Sequence, residues 1–322
     1  MSILLIVVFL VVLFGLEMLY FKLALRFNII DHPNERSSHS LVTIRGGGII
    51  FPIAVLIFTI TFNWHALYFI TGLIAISAIS FADDILTLNN KIRLLVQFFA
   101  VGMLFLEWEL FSLEWYWLIL TTVFVVASIN AYNFMDGING ITGGYSLVAV
   151  GTLLYLNQSI QFISENFLIV SGLSLFVFMF FNFRTRAKCF AGDVGSVGIA
   201  FILIYALGLL ILTTQNLSYL TLLLVYGIDT VTTIVFRLIR RENLAKAHRA
   251  HFYQFLVNCK EWSHLQVTCL YMTLQILITL FMLFVLNAEL LACLTAAMLI
   301  TLIFIGVRFI VEGKEKLLRK KL

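Results

Sequence analysis

Proline occurs only at Pro33 and Pro52 in 322 residues. A chain so poor in helix breakers is expected to build largely uninterrupted helices. Charge is scarce too: Asp, Glu, Lys and Arg form 12% of the residues, about half the share in a soluble domain. The four cysteines, Cys189, Cys259, Cys269 and Cys293, show neither metal-knuckle spacing nor a disulfide framework and read as small reduced thiols. No internal repeat and no low-complexity segment is visible.

What the chain has instead is apolar length. Hydrophobic residues make up 61% of it, in runs of roughly 20 residues, enough to cross a bilayer. Eleven spans are predicted: 3–25, 46–64, 66–82, 93–107, 115–132, 142–157, 166–182, 193–213, 217–238, 265–286 and 289–311. They leave no room for a separate soluble domain, so residues 1–322 read as a single all-α polytopic membrane bundle. The first span has no basic residue before it and no small-residue cleavage site after it, which argues against a cleaved signal peptide.

The few charges then orient the bundle. With eleven spans, one face receives 22–45, 83–93, 133–141, 183–192, 237–264 and the segment from 308 onward, and all 21 Lys and Arg fall on that face. The other face receives Glu107, Glu109, Glu114, Glu165 and Glu289 and no cation. Basic loops stay in the cytoplasm, which puts the N-terminus outside and the C-terminus inside. The net charge of +4 is therefore a topology signal and not a nucleic-acid footprint.

Nearly all polar residues able to do chemistry lie on the basic face. Gly46, Gly47 and Gly48 stand where the second span begins, and close helix packing explains them without any ligand. Asp83 and Asp84 end the third span, where the helix dipole disfavours anions; they either reach water or need a cation. Asn130, Asn133, Asp136 and Asn139 recur every third residue into a Gly-rich turn. Such hard oxygen donors suit Mg²⁺, and four in ten residues exceed what helix capping requires. Asp193, flanked by Gly192 and Gly195, opens the eighth span, where free N–H groups favour a phosphate; an ordinary N-cap is the plainer alternative. His248, Arg249 and His251 could grip a pyrophosphate or merely touch anionic lipid headgroups. On one face, these groups fit metal-assisted phosphoryl transfer.

The strings TIRGGG, DDILTLNNKIR, NAYNFMDGINGITGG, FAGDVGSVG and HRAHFYQ run in this order from residue 43 to 254. Together they resemble the polyprenyl-phosphate N-acetylhexosamine-1-phosphate transferases, the glycosyltransferase family 4 type of membrane enzyme. The resemblance implies that Asn133 and Asp193 bind Mg²⁺, with Mn²⁺ as the alternative ion. It places Asp83 and Asp84 beside the attacking lipid phosphate, without deciding whether either is a base, and adds Asp136 and His248 to the catalytic set. Lys91 and Arg93 match basic positions near the phosphates, Phe190 a position that stacks on uracil, and Asn139 one that reads the base edge, where many relatives have Asp. Arg249 and His251 match the segment facing the pyrophosphate or sugar. Ile44, and Gly227 with Ile228 ahead of Asp229, stand where relatives commonly carry Pro.

The implied substrates are a UDP-N-acetylhexosamine and undecaprenyl phosphate, at the cytoplasmic face of a bacterial inner membrane, with no nucleic acid involved. The product would feed O-antigen, capsule or another envelope glycan, and the family leaves a homodimer open. HRAHFYQ looks more like members that use 6-deoxy sugars such as FucNAc or QuiNAc than like the GlcNAc enzyme. A transporter or flippase is the competing class. It is disfavoured because Glu17 and Asp229 are the only acids inside spans and not at their ends, neither span is Pro-broken, and no repeat appears.

Overall fold

The computed structural model describes residues 1–31, 42–86, 88–244 and 249–319. The helices are α1 (Ile3–Arg26), α2 (Ile50–Phe62), α3 (Leu67–Leu86), α4 (Asn90–Glu107), α5 (Trp115–Met135), α6 (Ile141–Ile160) and α7 (Glu165–Asn182). They continue as α8 (Gly192–Thr214), α9 (Leu224–Ile239), α10 (Phe252–Lys260), α11 (His264–Leu280), α12 (Leu290–Glu312) and α13 (Lys314–Leu318). Every predicted span coincides with a helix to within a few residues. Among the described residues, eight are long and apolar enough to cross a membrane, counting the 3₁₀ lead-in Leu217–Leu223 with α9 and the π turn Phe281–Val285 with α11. The chain is thus an all-α polytopic membrane protein.

The long helices form because the sequence offers apolar side chains on every side and almost no breaker. In lipid, a helix satisfies its own backbone. Pro52 is accommodated in the first turn of α2, where the amide it lacks has no helical partner. On the acidic face, Glu107 accepts from the N–H groups of Tyr68 (3.1 Å) and Phe69 (3.2 Å), capping α3.

The core is built around α8, which packs on α2, α3, α5 and α6 and is the most buried of the membrane helices. Small residues allow that closeness. A Cβ on Gly195 would stand 2.6 Å from the Cα of Gly48, so only glycine lets these backbones touch. Close packing, as the run Gly46–Gly48 suggested, is what the structure displays there. A two-residue antiparallel pair, β1 (Ile30–Asp31) with β2 (Thr43–Ile44), and a bridge from Ile44 to Cys189 bind this loop to the start of α8.

Candidate active site

Asp83 and Asp84 occupy the last turn of α3, both largely buried. Carboxylates at a helix C-terminus face the negative end of its dipole, and two guanidinium groups from other segments offset this. Arg93, in the first turn of α4, reaches Asp83 with Nη1 (2.6 Å) and Asp193 with Nη2 (2.8 Å). Arg45, ahead of the glycine run, holds Asp84 through Nε (2.7 Å) and stands 3.8 Å from Asp193. Three carboxylates thus share two cations at the junction of α3, α4, α5 and α8. Arg45 escaped the sequence reading because the residue it serves is 39 positions away; its place beside the glycine run was the only local sign.

Asp84 has a second task. Its carboxylate accepts the backbone N–H groups of Asp193 (2.9 Å) and Val194 (3.0 Å), at the start of α8. The expectation that these amides would cradle a phosphate therefore differs from the structure, where a neighbouring carboxylate takes them. Gly192, at φ +71°, makes this possible, since a Cβ there would meet Asp84 Oδ2 at 2.6 Å. Asp83 is less committed: among the described residues it accepts from Arg93 and the Leu88 N–H (2.5 Å), lies against the Asp193 carboxyl, and keeps some exposure.

The four-residue polar series divides into separate roles. Asn130 faces inward, donating to Gln97 Oε1 (3.1 Å) and to the Val126 carbonyl (2.7 Å). Asn133, one turn later, joins the charged cluster. Its amide suits its surroundings when the oxygen faces Arg93 Nη2 (3.2 Å) and the nitrogen faces Ser196 Oγ (2.8 Å) and Asp193 (3.3 Å). Asp136 caps α5 and accepts the Thr142 hydroxyl (2.6 Å). Burial pushes its carboxyl up to about 7, with the charge of Asp84 adding to the rise against the Thr142 bond. Asn139 donates to the carbonyls of Arg184 (2.8 Å) and Thr185 (3.4 Å). Its side-chain oxygen is buried with no partner among the described residues, an acceptor held ready beside the 183–190 loop.

Phe190 lies on that loop, partly buried, its backbone pinned between the Ile44 carbonyl (2.8 Å) and the Gly47 N–H (2.8 Å). Lys91 is exposed at the head of α4. Arg249 is also exposed, whereas His251 is buried, with Nδ1 3.5 Å from Asp229 Oδ1. The segment abuts the same end of α5: Tyr253 donates to the Phe134 carbonyl (2.9 Å), and the His251 ring lies 6.3 Å from that of Phe134. His248 lies outside the described residues. Asp83, Asp84, Arg93, Asn133 and Asp193 therefore form one cluster, Asp136 adjoins it, and Asn139, Phe190 and the 249–251 segment sit on the loops around it.

One carboxylate and one amide oxygen make a sparse metal site, and no group of three or more acidic, His or Cys ligands occurs among the described residues. The pair nevertheless fits Mg²⁺, which takes few protein ligands and completes its shell with water and phosphate. A cationic nitrogen, Arg93 Nη2, already sits 2.8 Å from Asp193 and 3.2 Å from the Asn133 oxygen, so the two donors converge on a position that suits positive charge. The arrangement can hold a cation, bind anionic oxygens on Arg45 and Arg93, and present Asp83 to an incoming group.

Residues 66–214 match the family described as Glycosyl transferase family 4. The chain is 26% identical over 266 residues to a Bacillus subtilis protein named a probable undecaprenyl-phosphate N-acetylglucosaminyl 1-phosphate transferase, covering 73% of this chain and 72% of that protein. It is 31% identical over 208 residues to the Yersinia pestis undecaprenyl-phosphate α-N-acetylglucosaminyl 1-phosphate transferase, covering 58% and 56%. The Escherichia coli protein of that name is 28% identical over 222 residues, covering 62% and 59%. Against the last two, the matched stretch spans less than two thirds of the relative's length.

Proposed function

We propose, from the premise that the chain belongs to the polyprenyl-phosphate N-acetylhexosamine-1-phosphate transferases of glycosyl transferase family 4, that it joins a UDP-N-acetylhexosamine to undecaprenyl phosphate. An oxygen of the lipid phosphate attacks the sugar-bearing phosphorus of the donor. The bond from that phosphorus to the bridging oxygen breaks, UMP leaves with the electron pair, and a lipid-diphospho-sugar remains. A lipid phosphate is largely deprotonated near neutral pH, so the reaction needs orientation and charge neutralisation more than a base.

The observation that carries this reading is the convergence of Asp83, Asp84, Asn133, Asp193, Arg45 and Arg93 at one end of four membrane helices. Asn133 and Asp193 would hold Mg²⁺, or Mn²⁺ in its place, which would supply positive charge against the donor's anionic phosphates. Arg93 and Arg45 are the guanidinium groups of the cluster that would bind the phosphate oxygens, with Lys91 at the rim. Asp83, the least committed acid, orients the lipid phosphate, and Asp136 adjusts the proton balance beside it. Asn139 offers its unpartnered oxygen to the uracil N–H, and Phe190 lies under the ring. Arg249 meets the sugar or pyrophosphate.

The eleven predicted spans cross the membrane, with the N-terminus outside and the site at the cytoplasmic face of a bacterial inner membrane, because every cation falls on that side. The product supplies O-antigen, capsule or another envelope glycan, and HRAHFYQ favours a 6-deoxy donor. Purified protein in nanodiscs with undecaprenyl phosphate and Mg²⁺ is to be given UDP-GlcNAc, UDP-FucNAc and UDP-QuiNAc in turn. UMP release that needs both lipid and metal is expected with one or more of them. Release from none would overturn the proposed reaction.

A further inference from the structure

Asp229 is fully buried in the middle of α9, remote in sequence from every motif above. A carboxylate inside a membrane helix is costly unless each oxygen is engaged. Here Oδ1 accepts the backbone N–H of Phe252 (2.9 Å) and the hydroxyl of Thr233 (3.2 Å). Oδ2 accepts the N–H of Tyr253 (3.3 Å) and the hydroxyl of Tyr271 on α11 (2.6 Å). The His251 ring lies against the same group. Asp229 thus does for α10 what an N-cap does, from a distant helix: it takes the first free amides and favours the positive end of the dipole.

The last membrane helix supplies a matching cation. Arg308, also fully buried, donates through Nη1 to Thr233 (2.8 Å) and Thr232 (3.0 Å) and through Nη2 to the Ala250 carbonyl (2.9 Å). Glu312, one turn on, pairs with its Nε. Thr233 accepts from Arg308 and lies within donating distance of Asp229 Oδ1 (3.2 Å) and of the Ala250 carbonyl (3.4 Å), so the two buried charges meet at one hydroxyl. Ala250 by its carbonyl, His251 by its ring, and Phe252 and Tyr253 by their amides are all held from α9 and α12. Arg249, the residue just before them, is left exposed.

We infer that Asp229 and Arg308 are positioning residues for donor binding, which fix the Ala250–Tyr253 backbone so that Arg249 is presented to the anionic part of the nucleotide sugar. The inference rests on the proposed reaction, with Arg249 as the contact and the buried pair acting through it. It also gives the otherwise isolated acid of α9 and the buried arginine of α12 one common purpose.

The test uses full-length protein in nanodiscs, with Asp229→Asn, Arg308→Met, the milder Tyr271→Phe, and Arg249→Ala as reference. A lost hydrogen bond to a buried charge corresponds to about a tenfold change in an equilibrium. The folded fraction of Asp229→Asn or Arg308→Met should therefore show a donor KM raised about tenfold, with the KM for undecaprenyl phosphate near that of the parent. Arg249→Ala should give the same donor-specific change, and Tyr271→Phe a rise of about threefold. Independently of turnover, hydrogen exchange at the Phe252 and Tyr253 amides should quicken in Asp229→Asn and not in Arg249→Ala. A donor KM equal to the parent's in folded Tyr271→Phe and Asp229→Asn, or unchanged exchange at those amides, would overturn the positioning role. Absence of UMP release from the parent would count against the proposed reaction instead and leave the exchange result to decide this inference.

Discussion

Asp84→Asn separates the two adjacent acids of α3. The carboxylate of Asp84 receives three donors: Arg45 Nε at 2.7 Å, Asp193 N–H at 2.9 Å and Val194 N–H at 3.0 Å. An amide keeps one oxygen, so its NH₂ must face at least one of those donors, and the charge opposite Arg45 disappears. Removing one partner of a buried ion pair costs roughly 3–5 kcal/mol. Because the Arg45 side chain is 34% exposed, water recovers part of that, and the lower end, about 3 kcal/mol, applies. Asp83→Asn differs in kind. With the amide oxygen kept by the Leu88 N–H, only Arg93 Nη1 is left facing the NH₂; that side chain is 21% exposed and keeps its bond to Asp193, so the cost falls to about 1 kcal/mol. At roughly 2–4 °C per kcal/mol for a large domain, the unfolding midpoint should drop about 6–12 °C in Asp84→Asn and about 2–4 °C in Asp83→Asn. Thermal unfolding in nanodiscs measures this, alongside UMP release normalised to folded protein, which should fall in both. Equal midpoint shifts, or a parent-like midpoint in Asp84→Asn, would refute the scaffold role given to Asp84.

Asp193→Asn should cut transfer by roughly 10²-fold or more, the order seen when a main electrostatic stabiliser is lost; near-normal UMP release at several Mg²⁺ concentrations would remove it from the metal site. Asp136, with its carboxyl raised to about 7 by burial, binds its proton more tightly in the fold than in the unfolded chain, where the value is about 3.9. Its stabilising contribution is complete below about pH 4 and is lost as pH rises through about 7. Asp136→Asn should therefore gain midpoint over the parent between pH 5 and pH 8, and a gain that shrinks over this interval would contradict the burial argument. Lys246→Cys, in a background without native thiols, should resist an impermeant thiol reagent added outside the cell; labelling there would reverse the topology.

The sequence by itself determined the solvent of this protein, and its one-sided cations are the basis of the polarity proposed across it. Apolar length, two prolines and a one-sided set of cations are properties that survive without knowing which helix meets which, since each helix satisfies its own backbone. The motif strings likewise marked Asp83, Asp84, Arg93, Asn133 and Asp193, which the fold brings together. Tertiary structure decided how those groups divide the work. Asp84 caps a helix begun 108 positions later in the chain, and Asn130 turns away from the cluster although it shares the spacing of Asn133. Arg45, Asp229 and Arg308 gain their meaning only from partners on other elements. Local spacing fixes which side of a helix a residue occupies. Whether that side meets a carboxylate, a backbone amide or lipid is set by close approach of helices at small residues such as Gly48 and Gly195, and that approach is a property of the packed bundle.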